Sequence, residues 1–229
     1  MAERLFTSAA VSQHEACLTA PRARDAVGVL AHLVSLLVPP RCAACGEPVR
    51  VGRGLCVSCQ TEMPWLPSSG GFPWAPVAYD GPARALVHAL KFAARPGAAG
   101  VMAAQIAANA PPGLLATGTL VPAPAHPARA RRRGFDQAAV LAQRLGARSG
   151  LPVADVLMRS SRGGRQVGAG RGARLARDLG IAARGRIGGR VVLVDDVCTT
   201  GATLAACARA AQEAGAQSIA AVTYARVLG

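Results

Sequence analysis

Apolar positions along the chain follow two rhythms. Val191 to Val194 is an unbroken apolar run, mostly β-branched, which predicts a buried strand of a parallel sheet. It gives way directly to Asp195 and Asp196, expected at the carboxyl end of that strand. From Thr203 an alanine-rich stretch with Leu204 and Glu213 predicts a helix that stops near Gly215. Elsewhere the period is helical. Leu86, Val87 and Leu90 share one helical face with Lys91 on another, and further helices are predicted over 99–109 and 137–145. Thr119 to Val121 reads as a strand, with a rigid Pro-Ala-Pro loop at its carboxyl end. In open parallel sheets ligands collect outside those ends, so this loop and the segment 195–203 are expected to face a common ligand. Ahead of these elements lie a predicted helix over 25–37 and the stretch EMPWLPSSGGFPWAP, which reads as a linker.

The strand, loop and helix around Asp195 imply a specific chemistry. A helix N-terminus offers unpaired backbone N–H groups, and Gly201 lets the chain approach a ligand closely. With Thr199, Thr200, Ala202 and Thr203 it makes a cradle for a phosphate. Asp195 and Asp196 would repel that phosphate, so they are expected to serve sugar hydroxyls or a divalent cation. A phosphate beside a diol describes a ribose 5-phosphate. Two plainer readings stand beside this one. A Val-Asp-Asp strand end also occurs in response-regulator receivers, though without the Thr-Thr-Gly-Ala-Thr tail, and an acid pair can simply cap the next helix.

Composition narrows the class further. The chain has 229 residues, 51% of them hydrophobic and only 3% aromatic, enough for one α/β domain and a small appendage. Its net charge of +14 is uneven: between Arg129 and Arg190 there are 15 arginines against 3 aspartates and no lysine, a surplus of +12. That surplus is either a solvated face or an attraction for polyanions, a diphosphate or a nucleic-acid backbone. The most apolar stretch, AVGVLAHLVSLLVPP, is interrupted by His32 and ends in prolines, so neither membrane insertion nor a signal peptide is expected, and the location expected is cytoplasmic.

Four of the seven cysteines stand as two CxxC pairs: Cys42 with Cys45, and Cys56 with Cys59. Two such knuckles deliver four thiolates to one tetrahedral Zn²⁺, with Gly46 suited to the tight turn after the first pair. Two disulfides are the other use of this spacing, disfavoured in a reducing compartment. A closed four-sulfur site leaves no open coordination position, so the zinc is expected to be structural. Cys17, Cys198 and Cys207 have no partner at ligand spacing. The resulting division is an unstructured 1–24, a helix and zinc ribbon over 25–66, a linker at 67–76, and an α/β domain over 77–229.

The stretch VVLVDDVCTTGAT is similar to the fingerprint of the type I phosphoribosyltransferases, which bind phosphoribosyl pyrophosphate. Together with PPRCAACG, Tyr79-x-Gly81, ALKF carrying Lys91, VPAP and RRRGFDQ, the chain resembles the ComF family of competence-associated proteins over most of residues 25–227. The resemblance implies a type I phosphoribosyltransferase-like parallel sheet flanked by helices, preceded by a small zinc ribbon. It also implies Mg²⁺ with the phosphoribosyl ligand, Lys91 and the arginines Arg131 to Arg133 near that ligand, and a link to DNA uptake, with single-stranded DNA and DNA-uptake proteins as partners. Two departures are visible. Asp136 replaces the family's Asn in RGFNQ, and the loop that closes over the reaction keeps Arg159, Gln166 and Arg174 but has Gly163, Ala169 and Arg177 at three other positions. Two functions are therefore expected from one pocket: transfer of a phosphoribosyl group to an acceptor that no residue identifies, or non-catalytic binding of a nucleotide or single-stranded DNA.

Overall fold

The computed structural model describes residues 40–68, 71–92, 96–159 and 179–228. The expected tail 1–24, the helix over 25–37, and the loop positions Gly163, Gln166, Ala169, Arg174 and Arg177 lie outside the described residues.

A short helix, α1 (Val57–Thr61), follows the second cysteine pair, and β1 (Val77–Ala78) opens the sheet. Helices α2 (Gly81–Phe92) and α3 (Pro96–Asn109) come next. The second of these starts earlier than its alanine content suggested, because a proline fits the first helical turn, where no N–H partner is needed. Strand β2 (Thr119–Pro122) leads to α4 (Pro127–Arg133) and α5 (Gln137–Ser149). Asp136 caps α5, accepting from the N–H groups of Ala138 and Ala139, and Gly150 closes it with a left-handed φ of 75°. A hairpin-like pair, β3 (Leu157–Arg159) and β4 (Ile181–Ala183), precedes β5 (Arg190–Cys198), α6 (Ala202–Glu213) and β6 (Ser218–Arg226).

The main sheet is parallel throughout, in the order β1-β6-β5-β2, while β3 and β4 pair antiparallel apart from it. Alternation along β5 divides the core into two layers. Val192 and Val194 face Leu86, Met102, Ile106, Leu141 and Leu145 from α2, α3 and α5. Val191 and Leu193 face Leu204, Cys207 and Ala211 from α6. Cys198 and Cys207 are both buried, and burial pushes the Cys207 thiol up to about 12, so both act as small apolar residues.

The cysteine-bearing segment shares the first of these layers. Cys42, Leu55, Cys59 and Met63 belong to the same buried cluster as Leu86 and Tyr224. Leu66 N–H donates to the Pro76 carbonyl at 2.8 Å and Ala78 N–H to that of Pro64 at 2.9 Å. Within the stretch 67–76, Trp74 is buried and bonds both ways to β6, its N–H to Ala221 O at 3.0 Å and its carbonyl from Thr223 N–H at 2.8 Å.

Candidate functional site

Strand β5 runs through the acid pair rather than stopping before it. The reason is that its two neighbours end at different places. Strand β6 stays paired as far as Cys198 with Arg226, whereas β2 ends with Pro122 opposite Val194. Ala123 N–H still reaches the Val194 carbonyl at 2.8 Å, and then the chain turns away. From Asp195 onward one side of β5 is therefore open, and a cleft of about 290 Å³ occupies the gap.

Successive residues of a strand point to opposite faces, so the two acids enter different surroundings. Asp196 shares the parity of Val192 and Val194 and meets the end of α2, where Lys91 Nζ lies 3.0 Å from Asp196 Oδ2. Asp195 shares the parity of Leu193, and its Oδ1 accepts from Asp196 N–H at 2.8 Å. Burial, and then the charge of Asp196, hold the Asp195 carboxyl well above the usual carboxylate range, against the opposing pull of Lys91.

In the following turn Gly201 has a left-handed φ of 74° before α6, and no side chain caps the helix. A Cβ at Gly201 would meet only Cys198 Sγ, at 3.8 Å, so glycine is needed there for its backbone conformation rather than for space. Thr199 and Thr203 line the cleft; Thr200, Gly201 and Ala202 belong to the turn without lining it. Thr200 Oγ1 instead lies 3.4 Å from Ala202 N–H.

Lys91 and Arg133 also line the cleft, and Arg131 does not. Helix α4 explains the split: residues four apart share a face, so Arg129, itself exposed, and the half-buried Arg133 both border the cleft, while Arg131 and Arg132 are exposed away from it. Arg159, expected in the loop that closes over the reaction, lines the cleft, and Arg129, Gln137, His126 and Tyr79 are cleft residues to which sequence reasoning gave no individual role; for Arg129 the four-residue spacing to Arg133 was the available signal. Arg159 is steadied by Nε donating to the Leu179 carbonyl at 3.2 Å. Asp136 reaches the cleft too, but with Oδ1 on the α5 N-terminus and Oδ2 accepting from Ala125 N–H at 2.9 Å it ties the loop after β2 to the helix.

At the other end of the unit, the sulfurs of Cys42, Cys45, Cys56 and Cys59 all lie within 4.8 Å of one another. The 3.7 Å between Cys45 Sγ and Cys56 Sγ matches the edge of a tetrahedron with metal–sulfur bonds of about 2.3 Å. Gly46 makes the first knuckle with φ 86°, its N–H donating to Cys42 O at 2.9 Å, and in the second Cys59 N–H donates to Cys56 Sγ at 3.5 Å. Burial raises the Cys42 thiol, but N–H donors from Cys45, Cys56 and Ala44 outweigh it and bring it down to about 6.

Residues 131–228 match the family model of the phosphoribosyl transferase domain. Residues 33–69 match that of the double zinc ribbon domain. No match is found among the curated proteins. The chain thus carries a phosphoribosyl transferase-type domain on a parallel sheet behind a zinc ribbon whose four cysteines suit one structural Zn²⁺. No helix among the described residues is long and apolar enough to cross a membrane.

Proposed function

We propose that this phosphoribosyl transferase-type domain binds phosphoribosyl pyrophosphate, or the ribose 5-phosphate part of a related nucleotide, in the cleft beside β5, and that it transfers the phosphoribosyl group. The observation that carries the reading is the meeting of the acid pair, Thr199, Thr203 and two arginines of α4 in one cleft. Asp195 and Asp196 receive the ribose hydroxyls. The threonine turn and the N–H groups of α6 take the 5-phosphate, and Arg129 and Arg133 take the diphosphate. Arg131, on the outer face of α4, acts only through its field.

The fold family implies Mg²⁺, and the donor set fits it. Mg²⁺ takes hard oxygen donors, one or two carboxylates together with substrate phosphates, and keeps several waters. Asp195 is the carboxylate left for it, since Asp196 is paired with Lys91. When bound, the ion would neutralise charge on the diphosphate as it leaves C1 of the ribose. The chain's own residues orient the sugar and stabilise the departing charge, which suits a displacement with an oxocarbenium-like transition state.

Non-catalytic binding of single-stranded DNA is a second reading, favoured by the exposed Arg131 and Arg132 beside the cleft. It agrees with the ComF resemblance, hence with a role in DNA uptake alongside DNA-uptake proteins, and with a reducing cytoplasm in which four thiols persist as zinc ligands. Calorimetric titration separates the readings. Phosphoribosyl pyrophosphate with Mg²⁺ is expected to bind more tightly than ribose 5-phosphate, and short single-stranded DNA to bind at low salt without displacing either. Failure of both sugar phosphates to bind would end the first reading.

A further inference from the structure

Among the described residues, three that are polar or charged are buried. Asp196 meets Lys91 at 3.0 Å and Gln137 meets Arg133 at 3.0 Å. The third, Thr223, is 0% exposed, and its hydroxyl has no hydrogen-bond partner among the described residues. An unpaired buried hydroxyl is less favourable than the methyl group of the isosteric valine. The sheet layer around it is otherwise apolar, with Leu193 and Ala221 covered by Leu204 and Cys207 of α6. A threonine in that layer calls for an explanation in function.

Its place in the ladder supplies one. Thr223 lies in β6 directly opposite Asp195 in the parallel register, so the two side chains leave the same face of the sheet. Such strands run about 4.8 Å apart, with the hydroxyl one bond and the carboxylate oxygens two bonds beyond Cβ. Rotation of Thr223 about χ1 between staggered positions brings Oγ1 within hydrogen-bond reach of the carboxylate without moving the backbone. The backbone is fixed in turn, with Thr223 N–H donating to the Trp74 carbonyl at 2.8 Å. Strand β2 ends opposite Val194, which leaves β6 as the one described strand beside Asp195. The next residues on that face of β6, Ala221 and Ala225, carry no polar side chain. Asp195 thus has the cleft on one side and a single cross-strand hydroxyl on the other.

We propose that Thr223 is a positioning residue for Asp195: its hydroxyl donates to the Asp195 carboxylate while that group accepts from the ribose, and so fixes the orientation in which the acid serves the ligand. The assignment rests on the phosphoribosyl reading of the cleft, in which Asp195 receives a ribose hydroxyl. It is tested by titrating the full chain and its Thr223→Val and Thr223→Ser variants with ribose 5-phosphate and, separately, with inorganic phosphate, which meets the threonine turn alone. Thr223→Val keeps the shape and loses the donor, so ribose 5-phosphate affinity should fall about tenfold while phosphate affinity holds. Its melting point without ligand should be no lower than the parent's, because a methyl group replaces an unpaired hydroxyl. Thr223→Ser keeps the donor and loses a methyl group, so it should melt lower and yet bind ribose 5-phosphate within about twofold of the parent. Stability and affinity then run in opposite orders between the two variants, which a purely structural threonine would not produce. In an Asp195→Ala background, Thr223→Val should change affinity no further. Parent-like binding by Thr223→Val, loss of binding in Thr223→Ser, or an equal loss of phosphate affinity overturns the assignment and leaves the phosphoribosyl reading intact. If the ribose adds nothing to the parent's affinity for phosphate, that reading falls and the assignment falls with it.

Discussion

Removing zinc is expected to destabilise the α/β domain as well as the ribbon. Leu55 and Met63 are 6% and 5% exposed, and they lie in the core layer that also holds Leu86, Met102 and Tyr224. Tyr224 Oη donates to Gln105 Oε1 at 2.7 Å and is 3.7 Å from Met63 Sδ, so a ribbon residue forms part of the packing around the largest fully buried side chain. About twenty residues around four thiols bury too little to hold their shape without the ion. Loss of metal by chelation, or by Cys56→Ser, should then release Leu55 and Met63 into water. Uncovering two such side chains costs about 1.5–3 kcal/mol each, roughly 3–6 kcal/mol together. Against a total stability of about 5–15 kcal/mol, and at about 2–4 °C per kcal/mol for a unit of this size, the midpoint should fall by on the order of 10 °C. Helical circular dichroism during a melt, run with stoichiometric chelator and with released zinc counted by a metallochromic dye, gives the answer. Met63→Ala, expected to cost about 2–5 kcal/mol with zinc still bound, calibrates the shared layer. Release of one zinc per chain with a melting point that moves by less than about 2 °C would refute the reasoning and make the ribbon an independent module.

The acid pair gives two further tests. Asp195→Asn with Asp196→Asn should weaken phosphoribosyl pyrophosphate binding tenfold or more while sparing part of the ribose 5-phosphate affinity, by calorimetry; unchanged binding would reduce the acids to structure. Because the folded-state value of Asp195 lies above its ordinary 3.8, the folded chain holds that proton more tightly than the unfolded one. Stability from this group is thus greatest below 3.8 and declines as pH rises through the folded value, so the melting-point advantage of Asp195→Asn should be near zero at acid pH and grow upward; a flat difference contradicts it. Lys91→Met strands the Asp196 carboxylate, whose side chain is 11% exposed, and should cost about 3 kcal/mol in denaturant unfolding, with partial recovery in the Lys91→Met, Asp196→Asn double variant. Affinity for single-stranded DNA should drop with salt, and Arg131→Ala with Arg132→Ala should flatten the log–log slope by about 0.7 for each phosphate no longer neutralised.

Local chemistry made much of this protein legible in its sequence. The apolar run before Asp195, the glycine-bearing threonine turn and the alanine-rich stretch after it announce a strand, a tight turn and a helix, because each is set by neighbours within a few residues. Two CxxC pairs likewise announce a metal site, and the knuckles themselves bring the four sulfurs within 4.8 Å of one another. What depends on distant partners was not readable. That β2 stops at Pro122 while β6 runs on to Arg226 is a fact about ladders, and it alone opens the cleft beside Asp195. Which arginines of a basic run border the cleft was decided by the pitch of α4, a helix in a segment to which the sequence pattern assigned no element, so Arg133 proved a cleft residue and Arg131 did not. The role of Lys91 as the counter-ion of Asp196 joins residues more than a hundred positions apart. Leu55 and Met63 looked like minor apolar residues of a ribbon, and only tertiary packing set them against α3 and β6 in a common core. Periodicity reports which face of an element is apolar; the element that covers it is chosen by the chain as a whole.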